Sequence, residues 1–117
     1  MIMPGAEIKV MVATKPVDFR RQADTLAALV QEALRENPYS GSIYVFRPKR
    51  TNRVKLLWWD GTGICLLTKR LENSQFHWPA IADGMMQLTS AQLATLLQGL
   101  EWRHTQPREI VRPSATQ

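Results

Sequence analysis

The sequence predicts an α+β fold: a mainly antiparallel β-sheet of four to six strands with two amphipathic helices packed on it. Three observations lead there. First, the apolar runs Ile43–Phe46, Val54–Trp59 and Ile64–Leu67 are rich in the β-branched and aromatic residues that suit a pleated, half-buried surface. Second, short turn-forming segments join them: Arg50-Thr51-Asn52-Arg53 offers Asn at a turn centre, and Asp60-Gly61-Thr62-Gly63 supplies glycines where φ becomes positive. Strands joined this closely pair antiparallel, as a meander. Third, a leucine-rich stripe at helical spacing lies on each side of this block, which asks for two helices laid against the sheet.

Taken in order, Ile8-Lys9-Val10-Met11-Val12-Ala13 puts Ile8, Val10 and Val12 on one face, the pattern of a half-buried first strand. Pro16 then removes a donor and stops the pairing, and Asp18 is placed to cap the following helix. From Asp24 onward, Leu26, Leu29, Val30, Ala33 and Leu34 recur at i, i+3, i+4, i+7, i+8, so one helical face is apolar. Asn37-Pro38-Tyr39-Ser40-Gly41 ends that helix, because proline disfavours helical backbone in the residue before it. After the meander, Glu72-Asn73-Ser74 turns the chain into Gln75–Pro79, a short strand that Pro79 confines to an edge. A loop over 80–84 leads to a brief pairing at Met85–Leu88. Thr89 and Gln92 then form a capping box, and Leu93, Leu96, Leu97 and Leu100 carry a second helix to about Gln98–Leu100. Trp102 folds back on the core. Beyond it the composition turns polar, with Pro107 and Pro113 and no apolar period. Residues 1–103 are thus expected to form one domain and 104–117 a flexible polar tail.

A chain of 117 residues suits a single domain. Its lone cysteine, Cys65, cannot form an internal disulfide and lies in an apolar strand, which fits a reducing, cytoplasmic setting. No basic leader and no spanning apolar run is evident, so no membrane partner is expected. Charge is unevenly distributed. Residues 43–71 hold Arg47, Lys49, Arg50, Arg53, Lys55, Lys69 and Arg70 against Asp60 alone, a local +6 within a whole-chain +5. A local cationic excess favours polyanionic partners.

Catalytic chemistry finds little support. A metal-dependent nuclease or strand-transfer centre needs converging carboxylates, yet Asp18 and Asp24 sit where helix caps belong, Asp60 opens a turn, and Glu72 and Asp83 flank loops. One cysteine and two distant histidines, His77 and His104, lack zinc-ligand spacing. Cys65 has no base beside it in sequence and a strand position that argues for burial. The glycines after Asp60 lack the helix and lysine of a phosphate loop. The reading is a protein without enzymatic activity, cofactor or metal.

The cations are the candidate site. Five of the nine residues from Arg47 to Lys55 are basic, namely Arg47, Lys49, Arg50, Arg53 and Lys55, with no acid among them. Lys69 and Arg70 follow after the next apolar run, Ile64–Leu67. Such residues also guard sheet edges against aggregation, but this density is self-repelling unless a polyanion or an acidic protein surface neutralises it. No helix-turn-helix or zinc finger is present, so the expected form is a β-ribbon tracking phosphates without base-specific reading. Trp58 and Trp59 point to opposite faces of their strand. One fills the core, and the other is either covered by a helix or left to stack a base or anchor a partner.

The succession Pro16-Val17-Asp18-Phe19-Arg20, the block VFRPKRTNRVKLLWWDGTGICLLTKRLE, the pair Phe76-x-Trp78-Pro79 and the ending LTSAQLATLLQGLEWR resemble the accessory TnpB proteins of IS66-type bacterial insertion sequences. The similarity runs from about Ile8 to Arg103. Gln22 departs from it, standing where a small residue is expected after the basic pair. The resemblance implies a small protein encoded beside a transposase and needed for efficient transposition. Its expected partners are DNA, through non-specific phosphate contacts, and the cognate transposase. The alternative is a module that docks on the transposase without touching DNA.

Overall fold

The computed structural model describes residues 8–80 and 84–105. Its elements run β1 (Val10–Val17), α1 (Ala23–Glu32), β2 (Ile43–Pro48), β3 (Arg53–Trp59), β4 (Ile64–Arg70), β5 (Met85–Leu88) and α2 (Ser90–Leu97). The strands form one sheet in the order β4-β3-β2-β1-β5. The meander β2-β3-β4 is antiparallel, and β5 pairs antiparallel with β1. Only β1 and β2 run parallel, with Val10 opposite Ile43 and Val12 opposite Val45. That pairing requires a crossover between them, and α1 supplies it.

Both faces of the sheet are covered, by different helices. Val10, Val12, Ile43, Val45, Val54 and Leu56 project to one face and meet Leu93 and Leu96 of α2, together with Phe76, Trp78 and Trp102. Ala13, Tyr44, Phe46 and Leu57 project to the other and meet Leu26, Ala27 and Val30 of α1. The first is the α2 face of the sheet and the second its α1 face. The period-two alternation of β2 and β3 explains why Ile43–Phe46 is apolar at every position: each of its side chains enters one of two cores.

Helix termini follow local chemistry. The predicted capping box forms, with Gln92 N–H donating to Thr89 Oγ1 at 3.0 Å and Thr89 N–H donating to Gln92 Oε1 at 2.9 Å. Trp102 folds back as expected, almost fully buried, its indole N–H donating to the His77 carbonyl. The helix ends earlier than the leucine spacing suggests. Gly99 turns the chain at φ +75°, and Leu100 is left exposed.

Three further expectations are corrected. Strand β1 does not stop before Pro16; an irregularity between Ala13 and Val17 carries it on, and Val17 pairs with Pro48. Among the described residues β5 pairs only with Val10–Ala13, so it asks no ladder donor of Pro16. Asp18 does not cap α1: Gln22 is the N-cap residue, without a side-chain cap bond. Asp18 instead accepts hydrogen bonds from Arg20, from the backbone at 2.9 Å and the guanidinium at 2.8 Å, and shapes the turn before the helix. Gln75–Pro79 is not a strand. It crosses the α2 face as an extended segment, with Phe76 N–H and the Trp78 indole N–H both donating to the Thr51 carbonyl, and both rings buried. Aromatic burial fixes this segment, and Pro79 brings no donor for a ladder. Of the expected tail, His104 and Thr105 lie in a turn closed by Thr105 N–H on the Trp102 carbonyl. The remainder, with Asp83, lies outside the described residues.

Candidate nucleic-acid interface

The alternation that builds two cores also distributes the seven predicted cations. Arg47 follows Ile43 and Val45 onto the α2 face, where it is only 8% exposed. Its guanidinium lies 5.6 Å from the centre of the Trp78 ring, and its Nε has no hydrogen-bond partner among the described residues. Burial lowers its proton affinity. Lys55 sits opposite Phe46 on the α1 face and is 4% exposed. Its ammonium donates to the Arg21 carbonyl. Burial pulls its pKa down, opposed by the Asp18 charge. Both cations are therefore tied into the fold, Arg47 beneath Trp78 and Lys55 to the turn before α1.

The other five reach solvent. Lys49 and Arg50 form the exposed tip of the β2-β3 hairpin, with no carboxylate partner among the described residues. Arg53 projects to the α1 face, its guanidinium 5.8 Å from the centre of the Phe19 ring and its Nε unpartnered. Arg70 lies directly opposite Arg53 in the β3-β4 ladder. Two arginines in that position repel each other, and Arg70 is drawn aside to Glu72 at 3.0 Å. Lys69 points to the α2 face instead. Its ammonium donates to the Leu97 carbonyl at 2.6 Å, at the C-terminal end of α2 where a cation is favoured.

The sequence reading missed part of this surface. Phe19 and Arg20, in the turn before α1, come beside Arg53. Phe19 is 47% exposed. A recess of about 350 Å³ is lined by Phe19, Arg20, Gln22, Pro48, Arg53, Lys55 and Thr68. An aromatic residue followed by two arginines in a loop is the signal that could have pointed here.

The tryptophans divide as the alternation requires. Trp58 packs against the α2-face core with its indole N–H buried and unpartnered. Trp59 lies on the α1 face, half-buried, in an edge-to-face contact with exposed Tyr39 at 5.6 Å between centroids. Asp60 closes the β3-β4 turn by accepting from the backbone N–H of Thr62 and Gly63, each at 2.9 Å, which lowers its pKa to about 2. Gly61 takes the positive φ of +102° that this turn needs. Cys65 donates weakly to Asp60, and its burial raises the thiol pKa, the opposite of an activated nucleophile. Among the described residues, no three potential ligands converge on a metal site, and no helix is long and apolar enough to cross a membrane.

A family model described as "IS66 Orf2 like protein" matches residues 8–107. Two proteins of Sinorhizobium fredii are similar over 114 residues, covering 97% of this chain and 97% of each relative: uncharacterised protein y4jC at 42% identity and uncharacterised protein y4hO at 41%. No solved structure matches. The matched span takes in every strand and helix among the described residues, the hairpin and the turn before α1, and the chain belongs to the IS66 Orf2-like (TnpB) family of insertion-sequence proteins.

Proposed function

We propose that this chain is a non-enzymatic accessory protein for transposition of its insertion sequence, and that it contacts DNA through the β2-β3 hairpin tip and the α1 face beside it. The observation that carries this reading is the placement of Arg53 and Arg70 opposite each other, with Lys49 and Arg50 nearby in the chain and Arg20 nearby in the fold. Glu72 already meets Arg70, but Arg53 opposite it has no carboxylate among the described residues, and a phosphate would supply that counter-charge. The absence of enzymatic activity is part of the proposal. It is supported by the structural duties of the carboxylates: Asp18 holds Arg20, Asp60 closes a turn, Glu72 pairs with Arg70 and Glu101 with Arg103.

Titration of element-end duplex with wild-type protein and with the double variant Lys49→Ala/Arg50→Ala tests it. The wild type should bind with an affinity that falls steeply with salt, and the variant should bind more weakly on every sequence alike. Wild-type protein that does not bind DNA, alone or with its transposase, would refute the proposal. One feature favours the second reading, docking on the transposase: Tyr39, half exposed against Trp59, is an aromatic pair at the Trp59 end of β3, away from the hairpin tip. Loss of transposase capture in Tyr39→Ala, with DNA binding intact, would support that reading.

A further inference from the structure

The recess on the α1 face is unlike a surface that only tracks phosphates. Phe19 presents an aromatic ring that is nearly half exposed, although the fold has two cores in which to bury rings. One side of that ring is approached by the Arg53 guanidinium at 5.8 Å. Arg53 has no carboxylate partner among the described residues and an unpartnered buried Nε. Arg20, across the recess, is held by Asp18 in a two-point contact, Nε to Oδ1 at 3.1 Å and the outer nitrogen to Oδ2 at 2.8 Å. The floor is made by Pro48, Lys55 and Thr68, with the Lys55 ammonium drawn away to the Arg21 carbonyl.

At about 350 Å³ the recess is near the lower end of the roughly 300–1,000 Å³ typical of small-ligand sites. That is room for one nucleotide and far too little for a duplex. A base in a duplex is already stacked on both sides and cannot offer its face to a side chain, whereas an unpaired base can. We infer that the recess takes an unpaired base of single-stranded DNA, stacked on Phe19, with the flanking phosphates on Arg53 and the hairpin tip. The inference deepens the proposed DNA contact and rests on it. It gives the protein a preference for strands opened or frayed at the element ends.

The test compares a labelled 12-nucleotide single strand with the duplex of the same sequence, by fluorescence anisotropy at fixed salt. The proteins are wild type, Phe19→Ala, Phe19→Leu and Phe19→Trp. Stacking on one base predicts that Phe19→Ala and Phe19→Leu lose roughly tenfold in single-strand affinity. Duplex affinity should stay within about twofold, and Phe19→Trp should retain or improve single-strand binding. Phe19→Leu keeps an apolar side chain of similar size, so a fault in folding is separated from loss of the aromatic face. Equal weakening on both DNA forms, or no weakening on either, would overturn the stacking inference while leaving DNA binding by wild type in place. Wild type that bound neither form would instead overturn the underlying reading.

Discussion

Arg47 and Arg50 are three residues apart in a run of cations, and the structure gives them opposite expected behaviour. Arg50 is an exposed tip residue. If it contacts one phosphate of duplex DNA, Arg50→Ala should lower the slope of log affinity against log salt by about 0.9. Over a fourfold rise in salt the variant should then lose roughly 3.5-fold less affinity than wild type. Arg47 is 8% exposed beneath Trp78. Replacing it with Met keeps an unbranched apolar stem in the same space, so the slope and affinity should be unchanged. On stability, Arg47→Met loses a guanidinium–indole contact worth about 0.5–2 kcal/mol. It also relieves the burial of a cation with no carboxylate beside it among the described residues. The two effects oppose each other, so the net change should stay below ~2 kcal/mol, a melting shift under ~10 °C for a domain of this size. Anisotropy titrations from 50 to 200 mM salt, paired with thermal melts, read both quantities. An Arg47→Met slope reduced as far as that of Arg50→Ala would refute the buried assignment.

Other outcomes follow from the packing and the turns. Leu96→Asp places an unpaired carboxylate in the α2-face core, where Leu96 is fully buried, and should abolish cooperative unfolding at ordinary temperature. Leu29→Asp, on a half-buried position of α1, should destabilise less. Gly99→Ala should cost about 1–2 kcal/mol in denaturant melts, because alanine is strained at φ +75° and its Cβ would come within 2.9 Å of Leu71 Cδ1. Asp60 has a folded pKa of about 2 against an ordinary 3.8. Its contribution to stability is therefore fully present above about pH 4 and is lost as pH falls through 2. The Thr62 and Gly63 amide resonances should titrate together with a midpoint near 2, and a midpoint near 4 would show that the turn bonds are absent.

Much of the fold was legible because local chemistry and tertiary demand coincide. The capping box at Thr89 and Gln92, the apolar face of α1 and the alternation of Ile8, Val10 and Val12 each state one local preference that the packed structure keeps. What failed was decided at a distance. Pro16 looks like a terminator in sequence, but its cost depends on whether another strand lies beside it, and β5 has already ended there. Phe76 and Trp78 have strand-like spacing and do enter one core, but no strand pairs with the segment that carries them. The candidate site shows the same division. The hairpin cations were plain from composition, but only the register of β2 and β3 reveals that Arg47 and Lys55 are buried on opposite faces. Phe19 with its two arginines is a local hint, but only Arg53, more than thirty residues on, makes the exposed ring one wall of a recess.

The central claim is that DNA meets this protein at the hairpin tip and the α1-face recess. Backbone amide chemical-shift mapping during titration with a single-stranded element-end oligonucleotide tests it most directly. The account predicts perturbations concentrated at residues 19–22, 49–53 and 68–70, with the Arg53 and Phe19 signals moving together and α2 quiet. Shifts concentrated on β5 and α2, or a spectrum unchanged at saturating DNA, would contradict it.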